Sequence, residues 1–206
     1  LTELDCHNNQ LTSLDLSHCV NLEGVGCTDN QLTSLDVTAC SDLSLLSCSR
    51  NKELAMLKLP ESPLCRLEVR SCKQLKSLHC TSKTLHELDI CGCEALEEVD
   101  ARDSKLELIW VGDCPNLRVV RFDGTALGSS LARRLVDGLP DRRGSVAGEL
   151  HLFTAEQEEE AVNILGGLPL DAADKNWNIS IVPERLWAAL RDIQKDVDTL
   201  LGRATE

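Results

Sequence analysis

The 206-residue chain lacks long apolar runs, a surplus of basic residues and any recognisable signal peptide. Its longest apolar runs fall far short of the ~20 residues that a membrane-spanning helix requires, so the sequence predicts no transmembrane segment. With 21 Lys and Arg against 34 Asp and Glu, the formal net charge is −13. This balance argues against nucleic acid or an anionic membrane as the main partner.

The sequence also lacks the spacings of a catalytic or metal site. It contains no Gly-x-Ser-x-Gly, His-Glu-x-x-His, phosphate-binding glycine loop or Cys-x-x-Cys. The histidines are scattered, and only His86, Glu87 and Asp89 stand close together. Neighbouring residues of a strand point to opposite faces, so a charged surface is favoured there over a metal site. We therefore predict no enzymatic activity, no metal and no cofactor.

What the sequence does contain is an internal repeat. Shifted by 21 residues, the segment Leu1–Cys40 aligns with itself, so that Cys6 matches Cys27 and Asn9 matches Asn30. Each unit divides into halves of 10 and 11 residues that begin with leucine and carry an aliphatic fourth residue. Such a period with Leu-x-x-Leu spacing is typical of leucine-rich repeat solenoids. Twelve half-repeats begin at Leu1, Leu11, Leu22, Leu32, Leu43, Leu54, Leu64, Leu75, Leu85, Leu96, Leu106 and Leu117.

The pattern within each half-repeat predicts how the chain coils. Alternation over the fourth to sixth positions is typical of a short, half-buried strand. Successive coils should stack as parallel ladders with their leucines inward, since no coil can bury its leucines alone. We therefore predict an α/β solenoid, a leucine-rich repeat array of parallel short strands with an α/β C-terminal cap and a terminal helix. The half-repeat at 43–53 is one residue too long for its type, and the next one breaks the alternation of asparagine and cysteine at the ninth position. Residues of one type should therefore move to the opposite side of the solenoid after about residue 54, with an exposed turn at 60–63.

The cysteines follow the repeat. Nine of the eleven fall at the sixth or ninth position of a half-repeat, where a small side chain can satisfy backbone groups from inside. A disulfide framework or a metal site are the alternatives, but the odd total and the 21-residue spacing suit neither. We predict a ladder of reduced, buried side chains. It comprises Cys6, Cys27, Cys48 and Cys80 at the sixth position, and Asn9, Asn30, Asn51, Cys19, Cys40, Cys72, Cys93 and Cys114 at the ninth.

The units LTELDCHNNQLTSLDLSHCVNL and LEGVGCTDNQLTSLDVTACSDL resemble the nested 21-residue leucine-rich repeats of bacterial cell-surface proteins. The segments 139–152 and 171–182 are similar to the piece that closes such arrays. The pattern departs at Lys83, Ala101, Phe122 and Thr125, and residues 155–170 look like an insertion. The resemblance implies a secreted or surface-exposed interaction or adhesion module.

The C-terminal third predicts the cap. Residues 131–139 should form a helix that opens at Ser129 and ends near Gly138, and GELHLF at 148–153 should form a strand. A second helix should follow Thr154, and NWNISIV a second strand. We expect a solenoid over 1–127, a cap over 128–182 and an amphipathic helix over 183–206. That helix either docks on its own chain or pairs with another.

Variable side chains between the leucines offer a broad surface for a protein or glycan partner. The last two half-repeats are the candidate interaction patch, unless the cap folds over them, because Trp and Arg are favoured in interfaces. The patch comprises Leu108, Trp110, Arg118, Val119 and Arg121. A regulatory or scaffold array attached to a catalytic domain is the alternative function. The chain starts inside a repeat, so we also expect self-association through the open first coil or the 183–206 helix.

Overall fold

The computed structural model of the chain describes residues 1–61, 63–125, 127–154, 157 and 172–180. Short strands dominate it. Eleven three-residue strands precede one ten-residue helix, and two four-residue strands follow. The strands are β1 Glu3–Asp5, β2 Gly24–Gly26, β3 Ser34–Asp36, β4 Leu45–Ser47, β5 Met56–Lys58, β6 Arg66–Glu68, β7 Ser77–His79, β8 Glu87–Asp89, β9 Glu98–Asp100, β10 Leu108–Trp110, β11 Val119–Arg121, β12 Gly148–His151 and β13 Trp177–Ser180; helix α1 is Ser129–Gly138.

The strands form parallel ladders on two sides of a coil. One ladder is a six-stranded sheet in the order β1-β2-β4-β6-β8-β10. Its strands pair with partners 21 residues along the chain, as in Leu4 with Val25 and Leu67 with Leu88. The other side carries a two-stranded sheet, β3-β5, and a five-stranded sheet, β13-β12-β11-β9-β7. The prediction of a solenoid of parallel strands is confirmed.

The core lies between the ladders and consists of the residues at the first, fourth and sixth positions. The central strand residues Leu46, Leu67 and Leu88 are 1 %, 0 % and 0 % exposed, whereas their strand neighbours face outward. Burial of each leucine contributes about 1.5–3 kcal/mol. Because each coil covers only the next, the stability of the array depends on contacts between adjacent coils.

A turn with positive φ follows each strand of the six-stranded sheet. The eighth residue of the half-repeat lies in the left-handed region in every coil, with φ between 53° and 73°. Its N–H donates to a carbonyl of the next coil, as from Asn8 to Thr28 at 2.9 Å. The turn therefore connects neighbouring coils as well as reversing the chain. Its residues are Asn8, Asp29, Arg50, Ser71, Gly92 and Asp113.

The opposite side of the solenoid is interrupted between β5 and β7. These strands follow each other in that ladder but belong to separate sheets. The interruption coincides with Pro60 and Pro63, which have no N–H to donate and which restrict the residue before them. Glu61 and Pro63 are exposed, as the predicted turn requires. The ninth residue of this half-repeat, Ser62, lies outside the described residues.

The six-stranded ladder continues past this irregularity without a break. Strand β4 pairs with β6, so Leu46 lies beside Leu67. The half-repeats that carry asparagine at the ninth position lie on this side up to Asn51, and those that carry cysteine follow from Cys72. This is the change of side that the long half-repeat predicts.

The cap closes each ladder differently. On one side β12 and β13 extend the five-stranded sheet, with Val120, Leu150 and Ile179 in register. On the other, α1 packs against β10 and comes so close to the following loop that a Cβ on Gly138 would lie 2.2 Å from the carbonyl oxygen of Val111. The cap thereby contacts the last repeat strand of each sheet, β10 on one side and β11 on the other, and β13 becomes the edge strand of the extended sheet.

Lys175 holds the C-terminal end of α1. Its ammonium donates to the carbonyl oxygens of Val136, Asp137 and Leu139 at 3.0, 2.8 and 3.0 Å. A cation at this position offsets both the unpaired carbonyls and the helix dipole. The helix starts at Ser129 as predicted, but its N-cap is Gly128 without a side-chain hydrogen bond.

Several sequence-based predictions are not confirmed or lie outside the described residues. The described residues are mostly β, with few helices, so the α/β character of the predicted solenoid is not confirmed. The half-repeat at Leu11 contains no strand, because its backbone does not form ladder hydrogen bonds with β3. The predicted helices after Thr154 and over 183–206, and the end of the second cap strand at 181–182, lie outside the described residues. No described helix has the length and apolar character needed to cross a membrane.

Candidate binding surface

The outer face of the six-stranded sheet carries two rows of side chains, one from each outward strand position. Strand register places them side by side, about 4.8 Å apart from strand to strand. The first row reads Glu3, Gly24, Leu45, Arg66, Glu87 and Leu108. The second row reads Asp5, Gly26, Ser47, Glu68, Asp89 and Trp110. We call this surface the outer face.

Two large apolar side chains stand exposed on the outer face. Leu45 on β4 is 46 % exposed and Trp110 on β10 is 36 % exposed. Three strand spacings separate β4 from β10, which is about 14 Å. Exposed apolar groups at such separated points suit contact with a macromolecule, because a partner large enough to reach both would remove both from water.

Charged residues that are largely paired with one another lie between these apolar groups. Arg66 contacts Glu68 at 2.6 Å and Glu87 at 3.3 Å, and the hydroxyl of Ser47 donates to Glu68 at 2.7 Å. Such partly exposed pairs contribute little to stability. They do supply a polar surround for the apolar groups, as is usual in interfaces.

The structure separates the patch predicted from sequence. Leu108 and Trp110 belong to β10 on the outer face, whereas Val119 and Arg121 belong to β11 in the five-stranded sheet, with Arg118 just before it. Val119 is only 5 % exposed, so its predicted exposure is wrong. Val119 lies on β11, and cap strand β12 pairs alongside that strand.

The two arginines of that patch are paired with neighbouring acidic residues. Arg118 contacts Glu97 at 3.2 Å, and Arg121 pairs with Glu98. Both contacts join residues of adjacent coils. These side chains therefore connect coils, and only Leu108 and Trp110 of the predicted patch remain on the outer face.

The five-stranded sheet carries a second polar cluster. Asp100 is 4 % exposed and accepts hydrogen bonds from Arg102 at 2.9 and 2.8 Å. Burial alone would raise the pKa of Asp100, but the hydrogen bonds and charge of Arg102 outweigh it and lower the pKa. Burial raises the pKa of the nearby Asp123. The pairing of Asp100 with Arg102 makes this cluster a structural feature of the coil.

The predicted ladder residues line the inside of the turns. On the side of the six-stranded sheet, Asn30 and Asn51 donate to carbonyl groups of their own and the preceding coil at 2.9 to 3.0 Å. Further along, the thiols of Cys93 and Cys114 each donate to a carbonyl 24 residues back, both at 3.1 Å. Asn9, in the first coil, is exposed.

The cysteines are all free, and seven are buried. Burial raises the pKa of the Cys27 thiol from 9.0 to about 12, and it raises the pKa of Cys91 to about 11. These thiols are therefore neutral at physiological pH and poor nucleophiles or metal ligands. The described residues contain no group of His, Cys, Asp or Glu side chains arranged to hold a metal ion. The buried cysteines are Cys27, Cys40, Cys48, Cys72, Cys80, Cys93 and Cys114, and the partly buried ones are Cys6, Cys19, Cys65 and Cys91.

Sequence reasoning missed a groove on the outer face. Its floor is β2, whose outward positions are both glycine, and its sides include Glu3, Asp5 and Leu45. The groove has a volume of about 590 Å³. The signal was present in the sequence, since glycine at both outward positions of one strand leaves a gap in each of the two rows of side chains.

A solved structure of a protein with a cysteine ladder is similar to this chain. No protein-family model matches the chain, and no curated protein matches it. A structure described as the functional domain of InlJ from Listeria monocytogenes, which includes a cysteine ladder, aligns at 22 % identity with a TM-score of 0.27. The match covers 74 % of this chain and 44 % of that chain. The parallel-strand solenoid is defined by its own strand pairing.

Proposed function

We propose that this chain is a non-enzymatic leucine-rich repeat module that binds another macromolecule, a protein or a glycan, through the outer face. The observation that carries the proposal is the exposure of Leu45 and Trp110 on one face of one sheet. Trp is among the residues that contribute most to binding energy. The continuous ladder beneath them is rigid, so a partner would lose little to rearrangement of this surface.

The module is proposed to act at a bacterial cell surface or in secreted form, as an adhesion or interaction domain. The support for this location is the resemblance of the first two repeats to those of bacterial cell-surface proteins. The second candidate is a regulatory or scaffold array within a larger protein.

The test is a binding screen of the chain against immobilised matrix proteins and glycans. Any ligand found is then measured against Trp110→Ala, and Met56→Ala is the matched control. Met56 is 55 % exposed but lies on the two-stranded sheet on the opposite side. We expect Trp110→Ala to weaken binding by tenfold or more, about 1.4 kcal/mol, and Met56→Ala to leave it unchanged.

The opposite ranking of these variants would place the binding surface on the other side of the solenoid. Binding that neither substitution affects would remove the outer face from consideration. To separate the two candidate functions, the same variants can be displayed on bacterial cells and scored for adhesion to the ligand.

A further inference from the structure

The groove over β2 brings backbone, apolar and acidic groups together. Gly24 and Gly26 have no side chains on the outer face, and Leu45 on the next strand stands beside them. On the other side, the carboxylate of Glu3 lies directly over Gly24, since a Cβ built there would be 2.0 Å from Glu3 Oε2. Asp5 lies beside Gly26 in the same way, at 3.2 Å from the Cβ position. The two glycines therefore make room for both carboxylates, which line the groove opposite Leu45.

The cationic side chains that line the groove are already paired. Arg50 contacts Asp29 at 2.7 Å, and Arg66 contacts Glu68 at 2.6 Å. Within each pair the positive and negative charges cancel. The net charge of the groove therefore comes from Glu3 and Asp5, on the side that faces the glycines.

These two carboxylates differ in their local contacts. Asp5 accepts hydrogen bonds from the backbone N–H of His7 at 3.2 Å and from its ring at 2.6 Å. These bonds lower the pKa of Asp5 and keep it ionised at neutral pH. Among the described residues, Glu3 has no ion pair with a basic side chain. A carboxylate without a cation beside an open groove can accept a charged donor from a partner.

We propose that this groove binds a basic side chain from an extended segment of a partner protein, with the cationic head at Glu3 and Asp5 and the aliphatic stem along Leu45. The inference rests on the proposed function, since it names the chemistry of a partner at the outer face. Arginine and lysine combine an apolar stem with a charged head, which is the arrangement that the groove offers. The chain's net charge of −13 opposes an anionic occupant such as a phosphate.

The experiment uses the whole chain and a capped hexapeptide of alternating serine and arginine, titrated by calorimetry at low ionic strength. The expected result is saturable binding that weakens about five- to tenfold in Glu3→Gln, through loss of a charge-assisted hydrogen bond. A hexapeptide of alternating serine and glutamate should not bind. Glu61→Gln, which removes an exposed carboxylate at the proline-rich turn, is the control for net charge and should bind like the wild type.

A second pair of variants tests the shape of the groove. Gly24→Ala places a methyl group where the flexible Glu3 carboxylate lies, so the fold should tolerate it while the carboxylate is displaced from its place beside the groove. In the matched control Gly112→Ala, the new Cβ meets only the Cys91 sulfur at 3.9 Å. We expect Gly24→Ala to weaken peptide binding several-fold and Gly112→Ala to have no effect. Circular dichroism verifies that both variants are folded.

The results separate this inference from the proposed function. Absence of peptide binding, or equal affinity in the wild type, Glu3→Gln and Gly24→Ala, overturns the groove as a basic-segment site. A Trp110-dependent ligand from the binding screen would leave the proposed function standing in that case. Conversely, peptide binding that Glu3→Gln and Gly24→Ala weaken supports the inference even if the screen finds no ligand that depends on Trp110. That result assigns the binding surface to the part of the outer face around β2.

Discussion

Asn51 and Cys72 occupy successive rungs of one internal ladder. The Asn51 amide donates to the carbonyl of Cys27 at 3.0 Å, and the Cys72 thiol donates to the carbonyl of Cys48 at 3.4 Å. Both bonds reach back 24 residues to the preceding coil. A thiol with one donor thus takes the place of an amide that also accepts a hydrogen bond.

The first prediction follows from the number of bonds that Asn51 makes. It is fully buried, donates to two carbonyls and accepts from the backbone N–H of Leu32 at 3.0 Å. Asn51→Ala leaves these groups without partners and should lower the free energy of unfolding by at least about 3 kcal/mol. Asn9→Ala, at the exposed equivalent position, should cost less than about 1 kcal/mol. Urea denaturation measures both, and equal costs would contradict a role for burial.

The second prediction concerns the alternation of core and surface. Leu67→Ala and Leu88→Ala should each lower the free energy of unfolding by about 2–5 kcal/mol, because both side chains are 0 % exposed. Ser34→Ala, at an outward position of β3, should change it by less than about 0.5 kcal/mol. Denaturant titration gives the comparison. If Ser34→Ala were as costly as the leucine substitutions, the inward and outward positions would be wrongly assigned.

The third prediction is that the thiols are reduced and protected by the fold. All eleven cysteines are free, and the seven buried ones have no access to solvent for a modifying reagent. A chromogenic thiol reagent should titrate at most the four partly buried cysteines quickly in the native protein, and about eleven after denaturation. Mass spectrometry of unreduced protein should find no disulfide, and several disulfides would rule out the thiol ladder.

The fourth prediction is a loss of stability at alkaline pH. Burial raises the pKa of Cys27 from 9.0 to about 12, so the folded state holds a proton that the unfolded state releases. The stabilisation is complete below about pH 9 and declines as pH rises toward 12. Each such thiol contributes a slope of up to about 1.4 kcal/mol per pH unit. Thermal unfolding between pH 8 and 10.5 should show the decline in stability, and the dependence on pH should be shallower in Cys27→Ala. Identical dependences in both proteins would exclude this thiol as a source of the decline.

The fifth prediction uses the left-handed turn position. Ser71 has a φ of 59° and Gly92, one coil later, a φ of 73°. A side chain is disfavoured in this region by roughly 1–2 kcal/mol. Ser71→Gly should therefore raise the unfolding temperature or leave it unchanged, since the flexibility of glycine in the unfolded chain offsets part of the gain. Gly92→Ala should lower it, because strain adds to a 3.0 Å contact with the Ser71 hydroxyl. If Ser71→Gly lowered the unfolding temperature and Gly92→Ala left it unchanged, the left-handed conformation of these two residues would be refuted.

Sequence alone was sufficient for the inward leucines and the internal ladder. A side chain that recurs once per coil, such as Leu67 and Leu88, has the same environment in each coil, so its burial follows from the repeat itself. The same holds for Asn30 and Asn51. These positions are local in the sense that each depends only on its own coil and the next.

Surface properties depended on how the coils and the cap come together. The sequence placed Trp110 and Val119 in one patch because they are close along the chain, but half a coil places them in different sheets. Cap strand β12, which pairs with the strand of Val119, lies about 30 residues later in the sequence. No pattern within the repeat specifies which strand edge the cap will pair with.

The sequence by itself therefore determined the coil, its core and its polar ladder. These features recur with a fixed period, and each repeat places the same residue type in the same environment. Only the tertiary structure decided which side chains share a surface. The groove between Glu3 and Leu45 exists because strands 21 residues apart are neighbours and Gly24 lies between them. A side chain's neighbours across a sheet are set by strand register, and register is a property of the folded coil.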